Sequence, residues 1–197
     1  MDDLFENFFI RILRGSGLKG LISLDKETNK NQVDLIRPLI EIDKKDLIYL
    51  SNFIFGTYIK DPSNENVNFK RVKIRNFLKQ LSLEGLDRKK FFLTIKNLKF
   101  ANDNIEFYTK KNFEDNLTIM NKKNMFILKK NFFYQSNEVV FRSFTEVIKI
   151  VGKKYYAVRG KKIDKVINLI GTKYPFKVTL GGCIIKKVNE TVILSKE

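Results

Sequence analysis

The residues best suited to chemistry lie in one stretch, residues 60–79, with the sequence KDPSNENVNFKRVKIRNFLK. Its DPSN segment predicts a turn, because proline fixes φ and short polar side chains bond the nearby backbone. Ser63 or Asn64 could then cap the first turn of a helix. Such a helix carries one polar stripe at spacings of four, three and four residues, formed by Asn64, Asn68, Arg71 and Arg75. The opposite, apolar stripe consists of Val67, Ile74, Phe77 and Leu81.

This polar stripe has two interpretations. Two arginines on a solvated helix face often serve only solubility, since exposed charge is the ordinary state of a protein surface. Arginine also binds phosphate with a forked pair of hydrogen bonds, and the asparagine-rich entry turn favours that use. The stretch therefore predicts a helix with one side packed on a core and one side able to bind anions.

A second group of candidate residues opens the chain. Residues 2–13 have the apolar repeat of an amphipathic helix, with Asp2, Asp3 and Glu6 near its beginning. Acidic residues in a first turn also stabilise the helix dipole, which is the non-functional explanation for Asp2 and Asp3. Gly15 is suited to end this helix in the left-handed conformation. Arg14 and Lys19 flank the glycine-rich turn that follows, where a phosphate could bind, although a GxG after a helix is a weak signal.

Composition limits the classes of function. The chain has 197 residues, 43% hydrophobic and 13% aromatic, as expected for a folded globular protein. A net charge of +16 and a pI near 9.8 favour an anionic partner such as nucleic acid. With one cysteine and no histidine, ordinary zinc sites, disulfides and imidazole triads are excluded. No apolar run predicts a membrane span or signal peptide, so we expect a cytoplasmic protein without a protein-bound metal cluster.

The remaining patterns predict the elements that position these residues. Residues 25–34 are polar and turn-like, and Pro38 demotes the following apolar run to an edge strand or loop. Asp43 is predicted to cap a helix through Phe55 with a buried face of Leu47, Leu50 and Ile54. A long helix spans about residues 87–113, with a lysine face that includes Lys96 and Lys99. A hairpin over residues 117–128, two helices ended by Gly152 and Gly171, and strands over 177–188 and 191–195 complete the chain.

Several motifs resemble one family, the bacterial tRNA(Ile)-lysidine synthetases, which are N-type ATP pyrophosphatases. The opening DDLFEN with RGSGLKGL is similar to the family's DDQxET…RGSGxxGL segment, and IRPL resembles its RPLL. The stretch from Asp61 to Arg75 matches DPSNxxxxxxRxxIR, and residues 179–183 match a late TLGGC block. Each motif alone is weak, but together they follow the family's order along nearly the whole chain.

One family motif has no counterpart here. Family members begin with a strand and an SGGxDS loop that binds the ATP phosphates, and this sequence lacks it. The resemblance thus implies a chain without the first hundred or so residues, about the size of half a nucleotide-binding domain. On this basis we expect an α/β plus α+β protein. Residues 1–82 would be the C-terminal part of a PP-loop domain of Rossmann type, and residues 83–197 a mainly helical α+β tRNA-binding domain.

The resemblance also implies a reaction and its residues. ATP adenylates the wobble cytidine of tRNA(Ile) with a CAU anticodon, and free L-lysine then displaces AMP to give lysidine, a ligase reaction expected to need Mg²⁺. Asp2, Asp3 and Glu6 would bind lysine and handle protons, while Arg71 and Arg75 would bind the departing phosphates. Arg14 and Asn64 are candidates for ATP binding. Candidates for RNA binding are Lys19, Arg37, Lys70, Lys73, Lys96 and Lys99.

A second hypothesis belongs to a different class. A chain without the phosphate loop could be a non-catalytic, basic tRNA- or RNA-binding module that keeps the charge and loses the chemistry. Binding to a membrane surface is disfavoured, because no single helix combines a wide apolar face with a basic one. A homodimer is a further assembly that we consider. Sequence reasoning thus predicts a ligase inactive on its own, with the binding module as its alternative.

Overall fold

A computed structural model describes residues 2–30, 33–59, 61–62, 68–120, 125–154, 158–172 and 174–197. The chain divides into two compact units, Met1–Asn102 and Asp103–Glu197, and the division falls within one long helix. The described residues form both α-helices and β-sheets, which confirms the mixed α and β fold class that the sequence predicts. The predicted domain boundary after residue 82 is a different division, and it stays a prediction.

The first unit is built mainly from helices. Its elements are α1 (Asp2–Ile12), α2 (Leu18–Leu21), a hairpin of β1 (Glu27–Lys30) and β2 (Val33–Ile36), α3 (Lys44–Phe55), α4 (Lys70–Leu83) and the first part of α5 (Arg88–Asn116). Gly15 ends α1 with a φ of 67°, as predicted. The core is aromatic: the ring of Phe91 lies 4.7, 5.1 and 5.6 Å from the rings of Phe5, Phe8 and Phe9. The hydrophobic face of α1 therefore fixes it against α5.

Two predictions about helices of this unit are wrong. Helix α4 does not begin at Ser63 or Asn64, because Asn68 lies in a turn and Phe69 caps the helix with an extended backbone, φ −76° and ψ 128°. Asn68 is therefore not part of a helical stripe with Arg71. Val72 joins Ile74 on the buried side, and the predicted buried Phe77 is 44% exposed. Ser63, Asn64 and Val67 lie outside the described residues.

Helix α3 has the predicted ends but not the predicted buried face. Asp43 is its N-cap residue and Gly56 ends it with a φ of 74°. Leu50 and Ile54, predicted to be buried, are 51% and 57% exposed, and no residue of the helix is buried. Periodicity identified an apolar face, but no other element of the described chain covers it. Residues 25–34, predicted to be turn-like, instead contain β1 and the start of β2, whereas Leu35 and Ile36 lie in a strand, one of the two states predicted for them.

The second unit packs helices on an antiparallel sheet. After α5 come β3 (Leu117–Met120), β4 (Met125–Leu128), a 3₁₀ helix (Lys130–Phe133), α6 (Asn137–Gly152), α7 (Gly160–Ile170), β5 (Phe176–Leu180), β6 (Cys183–Val188) and β7 (Thr191–Lys196). The strand order is β3-β4-β7-β6-β5. The predicted hairpin and helices are confirmed. The predicted strand over residues 177–188 is instead two strands joined at Gly181 and Gly182, because both glycines have positive φ and turn the chain.

Three buried polar side chains of this unit, Asn112, Asn116 and Ser143, form one hydrogen-bond network. Asn112 donates from Nδ2 to the carbonyl oxygen of Phe132 and to Oγ of Ser143, both at 3.2 Å. Asn116 donates from Nδ2 to Oδ1 of Asn112 at 2.9 Å. Cys183 is fully buried, and desolvation raises the pKa of its thiol to about 11. The thiol therefore stays protonated near neutral pH and has a packing role.

The end of α6 approaches the β5–β6 turn closely. A Cβ on residue 152 would lie 2.0 Å from the carbonyl oxygen of Gly181 and 3.1 Å from Sγ of Cys183. Real side chains do not tolerate such distances to backbone atoms, so either the helix or the turn would have to move. The glycine pair of the TLGGC block has its own structural reason, because Gly181 and Gly182 have φ of 64° and 80° and a Cβ on residue 181 would lie 2.6 Å from Cγ2 of Val158.

We predict that Gly152→Ala lowers the free energy of unfolding by about 1–3 kcal/mol, because the added methyl group overlaps the Gly181 carbonyl. Urea denaturation followed by circular dichroism measures this change. Gly160→Ala is the matched control: its Cβ would meet Phe141 Cζ at 3.4 Å, an ordinary contact, so the change should stay within about 1 kcal/mol. Equal effects of the two variants would contradict the close approach.

Candidate active-site cluster

Helices α1 and α4 bring two of the predicted catalytic residues into direct contact. Arg75 donates from Nε to Oε1 of Glu6 at 2.7 Å and from Nη2 to Oε2 at 3.3 Å. The Glu6 side chain is 5% exposed and that of Arg75 is 29% exposed. A buried carboxylate is costly unless it is paired and hydrogen-bonded, and the two forked bonds provide that compensation. The two residues are 69 positions apart in the sequence, and their contact joins α1 to α4.

The electrostatics of Arg75 follow from this contact. Its hydrogen bond to Glu6 raises the pKa of the guanidinium, and the charges of Glu6, Asp3 and Asp2 act in the same direction, whereas burial opposes them. Arg75 is therefore held firmly in its charged form by carboxylates of α1. Two of its five N–H donors are directed at Glu6, which leaves three for an external phosphate.

Asp2 is also paired. Nη1 of Arg88 lies 2.8 Å from Oδ1 of Asp2 and 3.6 Å from Oδ1 of Asp43. The side chains of Arg88 and Asp2 are 45% and 29% exposed, so this bridge is partly solvated and weaker than a buried one. Asp3 is exposed and, within the described part of the chain, takes part in no salt bridge. Of the three predicted carboxylates, Asp3 is thus the most accessible to a ligand.

Arg71 differs from Arg75 although both lie on α4. Arg71 is exposed one turn earlier on the helix, and none of the salt bridges among the described residues involves it. Its guanidinium therefore has its donors directed to solvent, where an anion could bind. The two arginines that the sequence treats as equivalent have different environments: Arg75 is bound to Glu6, and Arg71 is open.

The residues predicted to bind RNA also separate into two groups. Lys19, Lys70, Lys73 and Lys96 are exposed, and the Lys96 ammonium lies 5.6 Å from the centre of the Phe100 ring. Arg37 and Lys99 are engaged inside the first unit. Arg37 donates from Nη1 to the carbonyl oxygen of Asp25 at 3.1 Å and to Oγ1 of Thr28 at 2.9 Å. Lys99 lies 2.8 Å from Oδ1 of Asp25.

The fit of these residues to ATP and magnesium is incomplete. Arg14, a predicted ATP contact, is exposed beside Gly15, whereas Asn64 lies outside the described residues. Within the ranges that the structure describes, no three acidic or cysteine side chains are grouped closely enough to hold a metal ion. The carboxylates of Asp2 and Glu6 are directed at arginines instead. These residues alone therefore do not form a metal centre.

Sequence reasoning missed the residues that complete the cluster. Arg88 binds Asp2 and Asp43, and Asp25 joins Arg37 to Lys99. Neither residue belongs to a motif, and their partners are distant in sequence, so no local pattern marks them.

Within the described part of the chain, no helix has the length and apolar character that crossing a membrane requires.

We predict a measurable coupling between Glu6 and Arg75. A double-mutant cycle of Glu6→Ala and Arg75→Ala should give about 1–3 kcal/mol in the free energy of unfolding, because truncating either residue leaves the other partly buried without its partner. The exposed pair Glu146 and Lys149, 3.3 Å apart on α6, is the control and should give at most about 0.5 kcal/mol. Coupling no larger than that of the control pair would contradict the role of the contact.

Comparisons with known proteins show which families the chain is similar to. Residues 1–82 match the PP-loop domain family. The tRNA(Ile)-lysidine synthase of Wolbachia sp. subsp. Brugia malayi is 28% identical over 197 residues, which are 100% of this chain and 46% of the relative. The corresponding proteins of Wolbachia pipientis wMel and Orientia tsutsugamushi are 27% and 29% identical, again over 100% of this chain and 46% of the relative.

The chain thus spans about half the length of the curated relatives it matches. Its match to them extends over both structural units, and its PP-loop match contains α1 and α4 with the Glu6–Arg75 pair. Over its whole length this chain is similar to tRNA(Ile)-lysidine synthases, and over residues 1–82 it matches the PP-loop domain family.

Proposed function

We propose that the chain acts in a ligase that converts the wobble cytidine of tRNA(Ile) with a CAU anticodon to lysidine. The observation that carries this proposal is the match to tRNA(Ile)-lysidine synthases along the whole chain. ATP is the adenylating substrate, with Mg²⁺ as its companion, and free L-lysine supplies the amine. The cytidine carbonyl oxygen attacks the α-phosphorus and pyrophosphate leaves; the lysine side-chain amine then adds to the activated carbon, loses its proton, and AMP departs.

Within this scheme, the exposed side chains of the cluster, Asp3 and Arg71, are the groups that would contact the substrates directly. Asp3 is the exposed carboxylate best placed to attract the lysine ammonium or accept its proton. Arg71 is the exposed guanidinium that would bind a phosphate group. Asp2, Glu6 and Arg75 remain candidates for direct roles, but a ligand would first have to replace their present partners. Until then, the Glu6–Arg75 pair is a positioning element for the α4 face that carries Arg71.

The proposed tRNA contacts follow from exposure and charge. Lys70 and Lys73 lie beside Arg71 on α4, and Lys19 and Arg14 lie around the glycine-rich turn, so both segments present exposed cations. Exposed cations bind phosphates without sequence preference, whereas a splayed-out base is read by stacking and hydrogen bonds. We further propose that residues 1–82 belong to a Rossmann-type PP-loop domain and residues 83–197 to the tRNA-binding part, in a cytoplasmic protein.

A second candidate function is supported by a specific observation. Two of the three candidate carboxylates and one of the two candidate arginines are already paired within the chain. An inactive, basic RNA-binding module would show such internal neutralisation together with exposed lysines. The ligase and the module differ in chemistry and in discrimination among tRNAs, and two experiments separate them.

The first experiment tests the chemistry. The chain is substituted for the matching residues of the Brugia malayi Wolbachia relative, and this fusion is incubated with tRNA(Ile), ATP, Mg²⁺ and labelled L-lysine. We expect label in the tRNA, and Arg71→Ala should lower kcat about 10²- to 10³-fold if Arg71 stabilises developing phosphate charge. Arg159→Ala, an exposed arginine outside the cluster, is the control and should leave kcat unchanged. No incorporation by the unmodified fusion would refute the ligase.

The second experiment tests tRNA recognition by the chain itself. In gel-shift titrations at two salt concentrations, the ligase predicts tighter binding of tRNA(Ile) with a CAU anticodon than of other tRNAs at both salts. Lys70→Ala with Lys73→Ala should weaken binding to all tRNAs and reduce the slope of log affinity against log salt by about 2. Lys44→Ala with Lys45→Ala, also exposed neighbours, is the matched control. Equal affinity for all tRNAs would favour the non-catalytic module.

A further inference from the structure

A polar cleft lies in the second unit, between the last turns of α5 and the segment that joins the 3₁₀ helix to α6. Its volume is about 200 Å³. Sites for drug-sized ligands usually measure about 300–1,000 Å³, so this cleft is of a size for one small group. The lining residues are Tyr108, Lys111, Asn112, Asp115, Asn116 and Gln135.

Two buried asparagines present a fixed acceptor to the cleft. Asn112 and Asn116 are 2% and 7% exposed. The carbonyl oxygen of Phe132 can only accept a hydrogen bond, so Asn112 directs Nδ2 toward it and Oδ1 toward Asn116. Asn116 donates from Nδ2 to that oxygen, and its own Oδ1 accepts no hydrogen bond from any described residue. Because buried polar atoms are nearly always paired, this oxygen is suited to a donor of a bound ligand.

The rim of the cleft carries one charge of each sign. Lys111 and Asp115 are exposed and lie four positions apart on α5, a spacing at which opposite charges commonly pair. Within the described chain, neither takes part in a salt bridge. Gln135 donates from Nε2 to the carbonyl oxygen of Asn131 at 3.1 Å, which leaves its Oε1 as an acceptor. The cleft thus combines several acceptors with one cation and with the ring of Tyr108, which is 54% exposed.

We propose that this cleft binds an unstacked guanine base. Guanine alone among the four RNA bases places two donors, N1–H and the exocyclic N2 amine, side by side on its Watson–Crick edge, next to the O6 acceptor. The carboxylate of Asp115 and Oδ1 of Asn116 accept from these donors, and Lys111 donates to O6. The ring of Tyr108 stacks on the face of the base.

Other ligands satisfy these groups less well. Adenine and cytosine each offer one amino group and uracil offers one N–H, so each leaves an acceptor of the cleft without a donor. A phosphate inside the cleft would face the carboxylate of Asp115 and Oδ1 of Asn116 with acceptors alone. The base therefore enters the cleft, and its sugar and phosphate stay outside. A free guanine nucleotide and an unpaired guanosine of RNA share this chemistry.

The test compares two ligands that differ only in the exocyclic amine. Guanosine monophosphate and inosine monophosphate, which lacks N2, are titrated into the full 197-residue chain by isothermal titration calorimetry. We expect the guanine nucleotide to bind at least about 10-fold more tightly, because the inosine nucleotide leaves an acceptor unpaired. Asp115→Asn should abolish this preference, since an amide replaces one carboxylate acceptor by a donor. Tyr108→Ala should weaken both ligands about 10-fold and keep the preference.

Two substitutions outside the cleft are the matched controls. Glu114→Gln changes the exposed acidic neighbour of Asp115, and Tyr174→Ala removes a tyrosine that is 79% exposed. Both should leave the two affinities within about 2-fold of those of the unmodified chain. All four substituted residues are exposed, so circular dichroism should be unchanged. Equal binding of the two nucleotides, or a guanine preference that survives Asp115→Asn, would overturn the proposal.

A second titration distinguishes the two sources of the base. Short oligouridines with one central guanosine or one central inosine carry the same charge, so their nonspecific attraction to the basic chain is equal. Tighter binding of the guanosine oligonucleotide, lost in Asp115→Asn, identifies RNA as the source, whereas a preference seen only with the mononucleotides identifies a free nucleotide. Either result supports the guanine site, and no preference in either pair refutes it.

This inference goes beyond the proposed ligase reaction and fails separately from it. The titrations contain no ATP, lysine or wobble cytidine, so a missing guanine preference would leave the lysidine assay unaffected. Failure to form lysidine would equally leave a measured guanine preference in place.

Discussion

The buried carboxylate of Glu6 is the constraint on which the first unit depends. An ionised group that is almost fully removed from water must have a partner, and the forked hydrogen bonds from Arg75 provide one. The contact fixes α4 against α1, whose aromatic side is held in turn by Phe91. With the two helices in this orientation, Arg71 of α4 and Asp3 of α1 are exposed to solvent.

The positive charge of the chain is divided between structural and available groups. Asp25 holds Lys99 by its carboxylate and Arg37 by its backbone carbonyl, and these two cations tie the β1–β2 hairpin and α5 to one loop. Lys70, Arg71 and Lys73 stand instead on the exposed side of α4, next to buried Val72 and Ile74. The net charge of +16 attracts a polyanion at long range, whereas only the exposed cations can contact it directly.

Local patterns predicted much of the secondary structure and less of the packing. The end of α1 followed from Gly15, which adopts positive φ as expected, and α3 ends at Phe55 as predicted, before Gly56, which also has positive φ. The prediction that one face of α3 is buried was wrong, since periodicity identifies apolar side chains without showing whether another element covers them. The start of α4 was misplaced because capping residues are common in polar loops. The sequence identified Glu6 and Arg75 as separate candidates. Their contact could not be predicted, because helix and strand periodicities relate only residues that are close in sequence and these two are 69 positions apart.

The close approach of Gly152 to the β5–β6 turn has a consequence for how this sequence can diverge. Residue 152 can gain a side chain only if the Gly181 carbonyl moves, and residues 181 and 182 can lose glycine only if the turn changes its backbone conformation. The three positions are thus mechanically linked, although residue 152 lies far from the other two along the chain. In descendants of this protein, accepted substitutions at these positions should arise together, so that they behave as a single inherited character rather than as three independent ones.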